Sequence, residues 1–244
     1  MPITHAESGT RIDEIEDGIY RVSVPVPEAP GGFTFNQFLV ADEEPLLFHT
    51  GPRRSFPLVR DAVATVLPPA RLRWIAFSHV EGDECGSLRE WLDAAPHAAP
   101  VCSRVAGMVY AEDATERAPR VLADGDVLPL GRRSVRWFDA PHVPHGWECG
   151  YLGELATRTL LCGDLFTQAG ARHPPVTESE ILGPSETMRA SMDYFARGPG
   201  TRPALERLAA FEPRLLACMH GAAYRGDGAA HLRALADALD AGPR

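Results

Sequence analysis

Apolar positions recur along this chain with two periods, and the changes of period mark its elements. Alternation or short apolar runs predict strands over 18–24, 35–40 and 45–48, with Ala41-Asp42-Glu43-Glu44 turning between the last two. Residues 25–32 read as a loop and residues 1–10 as a loose polar start. Helical spacing appears over 56–66, before Pro68-Pro69, and again within 86–92 through Leu88, Trp91 and Leu92. A short buried strand, 73–77, separates the two. Further strands are expected at 99–102, 126–130, 134–138, 149–153 and 158–162; the last two bracket a short polar turn and form a hairpin. Helices follow at 178–196 and 202–211, then a buried strand at 214–218. Gly226-Asp227-Gly228 turns the chain into a closing helix at 229–239. Strands in meander-like groups with helices interspersed predict an α/β fold of two mixed sheets flanked by helices, an αβ/βα sandwich, built as a single domain over 1–244.

Composition narrows the function classes. The chain has 244 residues, 45% of them hydrophobic, enough for one large layered unit. A net charge of -9 with scattered arginines excludes nucleic acid as an expected partner, since such binding relies on clustered cations. No apolar run reaches membrane-spanning length, and the start lacks the basic and apolar regions of a signal peptide. Five cysteines without a C-x-x-C pair fit a reduced, cytoplasmic protein.

Candidate chemistry concentrates where strands feed loops. Ser78-His79-Val80-Glu81-Gly82-Asp83-Glu84-Cys85-Gly86 follows the apolar run Trp74-Ile75-Ala76-Phe77 and sets one imidazole and three carboxylates within six residues. His142 and His145 lie just past the strand at 134–138, Asp164 past 158–162, and His220 past 214–218. Any one of these reads most simply as a turn or hydrogen-bonded structural residue. Their joint placement at strand ends, where layered α/β proteins bind ligands, is what points to a metal site.

The order H-x-E-x-D … H … D … H resembles the metallo-β-lactamase superfold in the version seen in flavodiiron proteins. The run from Ser78 to Leu88, together with Asn36-Gln37-Phe38-Leu39-Val40 and Phe48-His49-Thr50-Gly51, is similar to that family over residues 18–225. The resemblance implies that His79, Glu81 and His145 hold one metal, that Asp83 and His220 hold a second, and that Asp164 bridges them. His145 is preferred over His142 because 18 residues separate it from Asp164, as in the family pattern. Glu84 stands where the family usually has His, and either ligates or turns outward to cap the next helix. His142 is left as a spare imidazole, hydrogen bonding to a ligand or to a bound molecule. His49 reads as structural or as a support to the ligands. Cys85 reads as buried packing or as a thiol activated by the helix start. Tyr224 and Trp147 read as pocket lining or as core.

An oxygen-rich donor set suits two iron ions, or manganese, better than zinc, which stays open. The leading expectation is a di-iron protein that binds or reduces a small diatomic, O2 or NO. Asp164 is its bridging group and His142 a neighbouring helper. Flavodiiron proteins continue into a flavodoxin-like domain; this chain shows no phosphate loop of that kind, so an external electron donor is expected. Those relatives pair head-to-tail to bring flavin to iron, and a homodimer is left open here. The competing expectation is a dinuclear metallohydrolase acting on an ester, thioester, lactone or phosphodiester.

Overall fold

Cross-strand pairing sorts the chain into two sheets. The computed structural model describes residues 3–242. The first sheet holds eight strands in chain order: β1 (Ile3–His5), β2 (Thr10–Glu16), β3 (Ile19–Val26), β4 (Phe33–Val40), β5 (Leu46–Phe48), β6 (Trp74–Ala76), β7 (Ala99–Ser103) and β8 (Arg120–Leu122). β1 to β5 form an antiparallel meander, whereas β5 to β8 are parallel. Parallel neighbours need a crossover. Helices α1 (Phe56–Ala64) and α2 (Leu88–Ala94) supply the first two. α3 (Arg104–Ala106) and α4 (Glu112–Ala114), around a π-helical turn at Gly107–Ala111, lead into β8.

The second sheet begins with β9 (Val127–Pro129), β10 (Ser134–Asp139), β11 (Gly150–Glu154) and β12 (Thr159–Leu161) as neighbouring antiparallel strands. It also holds β13 (Val176–Thr177), β14 (Leu215–Ala217) and β15 (Ala223–Arg225), with β14 parallel to β12. Helices α5 (Leu182–Met192), α6 (Thr201–Ala210) and α7 (Gly228–Asp240) complete the chain.

Alternation along each strand divides its apolar side chains between two faces. Phe38, Phe48 and Trp74 meet Trp137, Leu161 and Leu215 in a buried cluster between the sheets. Leu39, Leu47 and Ile75 face the other way and pack with Val59, Val63, Leu88 and Trp91 of α1 and α2. On the far side, Phe138, Leu160 and Leu216 pack against Leu205 and Leu208 of α6 and Leu232 and Leu235 of α7. The layers run helix, sheet, sheet, helix, as the sequence pattern predicts. The hairpin forms in the expected place, with Leu152 opposite Leu161.

The amino-terminal stretch corrects the sequence reading. Residues 3–5 are strand rather than loose chain, and β2 had no counterpart in the pattern. Ile12 and Ile15 face opposite sides of the sheet, buried Asp13 and exposed Glu14 stand between them, and the register shifts between Glu14 and Glu16, so no run of alternating apolar residues marks this strand. The helix expected over 178–196 is shorter, ending at Met192 where Asp193 turns left-handed (φ 47°). β8, β13 and β15 also lacked a counterpart in the pattern: each spans two or three residues and includes exposed or half-buried positions, so no apolar run marks it.

On neighbouring strands of the second sheet, the buried Trp137 ring lies against Gly150, where a Cβ would overlap it. Gly150→Ala should therefore cost about 1–3 kcal/mol of stability through overpacking. Gly198→Ala, at a position with open space and no positive φ, should stay within about 0.5 kcal/mol. Urea unfolding of the two variants checks the contrast.

Candidate metal centre

Strand directions bring the four candidate loops to one edge. β10 and β12 each run antiparallel to β11, and β12 runs parallel to β14, so all three end on the same side of the second sheet. The sheets are tied together there. The Asn36 N–H donates to the Met219 carbonyl and the Gly150 N–H to the Ser78 carbonyl, both at 2.9 Å. Buried Arg21 donates to the Gly221 carbonyl at 2.7 Å, and the Asn36 amide donates to the carbonyls of Cys218 and Gly221. Two strands of the first sheet thus hold the loop carrying His220.

The loop after β6 is clamped from several sides. The Thr50 N–H donates to the Glu84 carbonyl at 2.8 Å, Cys85 N–H to Glu81 O at 3.0 Å, and Ser87 Oγ to Thr50 O at 2.8 Å. The buried Glu148 carboxylate accepts the Val80 N–H at 2.8 Å. Gly86 sits so close to Gly82 that a Cβ would collide with its carbonyl oxygen. These contacts hold Glu84 inward, fully buried, instead of outward over α2; Ser87 takes the position before that helix.

Seven donors converge on this edge in two groups: His79, Glu81, His145 and Asp164 in one, and Asp83, Glu84 and His220 in the other. Asp164 lies between them. Its Oδ2 is 3.6 Å from His79 Nε2 and 3.4 Å from His145 Nε2, while its Oδ1 is 3.2 Å from His220 Nε2. Glu81 Oε2 lies 3.0 Å from His79 Nε2 and 2.9 Å from His145 Nε2. Asp83 Oδ2 is 3.5 Å from His220 Nε2. All three imidazoles aim Nε2 inward, and their other nitrogens are engaged. His145 Nδ1 donates to the Tyr194 carbonyl at 2.9 Å and His220 Nδ1 to the Thr34 carbonyl at 2.8 Å. His79 Nδ1 pairs with Ser78 Oγ at 2.9 Å, and that hydroxyl also meets His49 Nε2 at 3.0 Å. An Nδ1–H held by a carbonyl leaves Nε2 with a lone pair when the ring is neutral, the arrangement metal-binding histidines use.

The electrostatics are those of a crowded, buried acid cluster. Burial pushes Glu84 well above the ordinary carboxylate range, and the charges of Asp164 and Asp83 push it further. Burial likewise raises Asp83. Burial opposes ionisation of Asp164 too, but the His220 imidazole 3.2 Å away and the charges of His79, His220 and His145 outweigh it and hold the group low. Hydrogen bonds from His145 and then His79 lower Glu81 to about 2. His79 is disfavoured as a cation by burial, yet contacts with Cys149, Glu81 and Asp164 raise it to about 11. Both Glu84 carboxylate oxygens and Asp164 Oδ1 are buried without an aligned hydrogen bond among the described residues. Orphaned carboxylate oxygens in a protein interior are costly. Their number, direction and mixture with Nε2 lone pairs fit a pair of divalent cations.

Other candidates fall outside. His142 is exposed on a left-handed backbone (φ 65°) and belongs to neither donor group; the chain turn at 142–146 sends His145 inward instead. Cys85 is buried, and burial raises its thiol to about 11, so the helix start does not activate it. Trp147 is exposed, and the Tyr224 ring packs on His231, away from the donors. His49 is fully buried and burial holds it neutral, supporting Ser78. The sequence reading missed Phe33, whose ring stacks on His220 with centroids 4.3 Å apart, and the carbonyls of Thr34 and Tyr194. It also missed Glu148. Thr34 lies 186 residues from His220, with Phe33 beside it, a distance no local pattern crosses.

Two mixed sheets inside helices, with histidines and carboxylates gathered at the strand-end rim, define the metallo-β-lactamase-like class. Residues 33–221 match the family described as ODP family beta lactamase, and the chain belongs to that family. It is 26% identical over 209 residues to rubredoxin-oxygen oxidoreductase of Megalodesulfovibrio gigas, covering 81% of this chain and 51% of that protein. It is 28% identical over 203 residues to putative diflavin flavoprotein A 1 of Thermosynechococcus vestitus, covering 80% and 34%. The chain thus spans about half or less of these curated relatives. The flavodiiron protein from Giardia intestinalis superposes with a TM-score of 0.79 at 18% identity, over 93% of this chain and 58% of that one. Fragment 1–254 of putative diflavin flavoprotein A 5 from Nostoc sp. superposes at 0.80 and 18%, over 93% and 94%. At such identities the superpositions show the fold. No helix among the described residues is long and apolar enough to cross a membrane.

Because His79, raised to about 11, holds a proton at neutral pH in the metal-free chain, a cation must displace that proton on binding. Affinity for a divalent metal should rise with pH through neutrality. Calorimetry in buffers of different ionisation enthalpy should show at least one proton released per chain; heats independent of buffer would contradict this account.

Proposed function

We propose that this protein is a non-haem di-iron oxidoreductase that binds and reduces a small diatomic, O2 or NO, at a carboxylate-bridged centre. The observation carrying the proposal is the position of Asp164, whose two oxygens face different histidine groups. A carboxylate can span two cations where an imidazole nitrogen cannot, and cations ~3.5–4 Å apart need such a bridge. On this reading His79, Glu81 and His145 hold the first ion, Asp83, Glu84 and His220 the second, and Asp164 both. Two adjacent iron ions would supply electrons to a ligand bound between them.

The chain's own groups would then set geometry and access. The carbonyls of Thr34 and Tyr194 fix the His220 and His145 rings, and Ser78 orients His79. Phe33 and Phe35 would wall the His220 side. The Glu81 side chain, half exposed beside the partly exposed His145, marks the mouth by which a small molecule enters. Membership of the ODP family and similarity to a rubredoxin-oxygen oxidoreductase support a redox role. An external electron donor is the corresponding proposal for the partner.

Iron-loaded protein, reduced anaerobically and then exposed to O2 or NO, should show a new visible charge-transfer absorption. An unchanged spectrum, together with Asp83-dependent turnover of chromogenic esters or phosphodiesters, would replace this reading with a hydrolytic one. Asp164→Asn should lower bound iron from two per chain to one or fewer, as measured by elemental analysis.

A further inference from the structure

The two donor groups differ in kind. His79 and His145 give the first group two imidazoles beside Glu81 and Asp164 Oδ2. The second group has one imidazole, His220, beside Asp83, Glu84 and Asp164 Oδ1. Glu84 creates the difference. Its side chain is fully buried, neither oxygen has a hydrogen-bond partner among the described residues, and Oε2 lies 4.0 Å from His79 Nε2. Its backbone carbonyl, accepting from both the N–H and the hydroxyl of Thr50, cannot rotate away without breaking that clamp.

Charge follows from composition. Glu81, Asp83, Glu84 and Asp164 carry four negative charges when ionised, which balance two divalent ions without any added anion. A histidine in place of Glu84 would leave that pair one charge short. Carboxylate-rich positions suit harder ions such as manganese, whereas imidazole-rich ones suit zinc and iron.

We infer that Glu84 makes the two halves of the centre chemically unequal, so that the Asp83–Glu84–His220 group retains a hard cation, manganese(II), against zinc(II), while the His79–His145 group does not. The inference rests on the dinuclear reading above and adds a selectivity that the bridge alone does not imply.

Metal-free protein is loaded anaerobically with manganese(II), then titrated with buffered zinc(II), and released manganese is read by electron paramagnetic resonance. Wild type should lose manganese in two steps, the second at higher free zinc. In Glu84→His and in the near-isosteric Glu84→Gln, that second step should move to free zinc lower by about tenfold or more, the scale on which changes around a metal shift its affinity. An unmoved second step in folded variants overturns the inference. Anomalous diffraction from wild type at intermediate zinc decides independently of the variants. Manganese beside Glu84 and zinc beside His145 support the proposal, and the reverse or an even mixture refutes it. Should wild type bind neither ion, the dinuclear reading itself fails, and with it this selectivity.

Discussion

The buried carboxylate of Asp164 is the constraint on which the rest of the structure depends. An anion at that depth persists only if positive charge surrounds it, and three Nε2 atoms from three separate loops do so within 3.6 Å. Meeting that requirement demands that β6, β10, β12 and β14 all end at one edge. It also demands that the two sheets stay in fixed relation at that edge. The Asn36 and Gly150 hydrogen bonds and the buried Arg21 provide this fixation, so a few polar contacts between sheets do what the apolar core cannot. The core sets the spacing of the layers, whereas directional bonds set the register of the loops.

Around that anion the protein spends stability on preorganisation. Glu84 and Asp83 are held where burial disfavours their charge, and His79 is held where its neighbours favour a cation. Such a pocket is poorly satisfied by the chain alone. Local strain of this sort gathers at functional sites, and here it falls on the residues proposed to take up metal. The surrounding loops absorb it through backbone contacts: Thr50 to Glu84, Glu148 to Val80, and the close approach of Gly86 to Gly82.

How much of this was legible differs by feature. β3 to β7 and the hairpin of β11 and β12 announce themselves as alternating or continuous apolar runs bounded by turn residues, because helices cover one face of each sheet and the other sheet covers the second. β2 does not, since its register shifts after Glu14, and its exposed Glu14 and half-buried Arg11 dilute the apolar signal. The donor types were visible as well: H-x-E-x-D and the later Asp164 and His220 stand directly after apolar runs. Spacing to Asp164 favoured His145 over His142, but nothing local to those two residues distinguishes them. The left-handed turn that exposes one and buries much of the other exists only in the folded loop.

Sequence by itself determined the layer architecture, the family and the chemical character of the donors, because alternation, helical spacing and motif order are properties of neighbouring residues. Tertiary structure decided how those donors are shared between two groups, that Glu84 faces inward, and that Phe33, Thr34, Tyr194 and Glu148 support the centre. The physical reason is common to all of these. Each depends on where side chains and carbonyls from distant segments meet, and such meetings are set by the packing of two sheets rather than by the composition of any one loop.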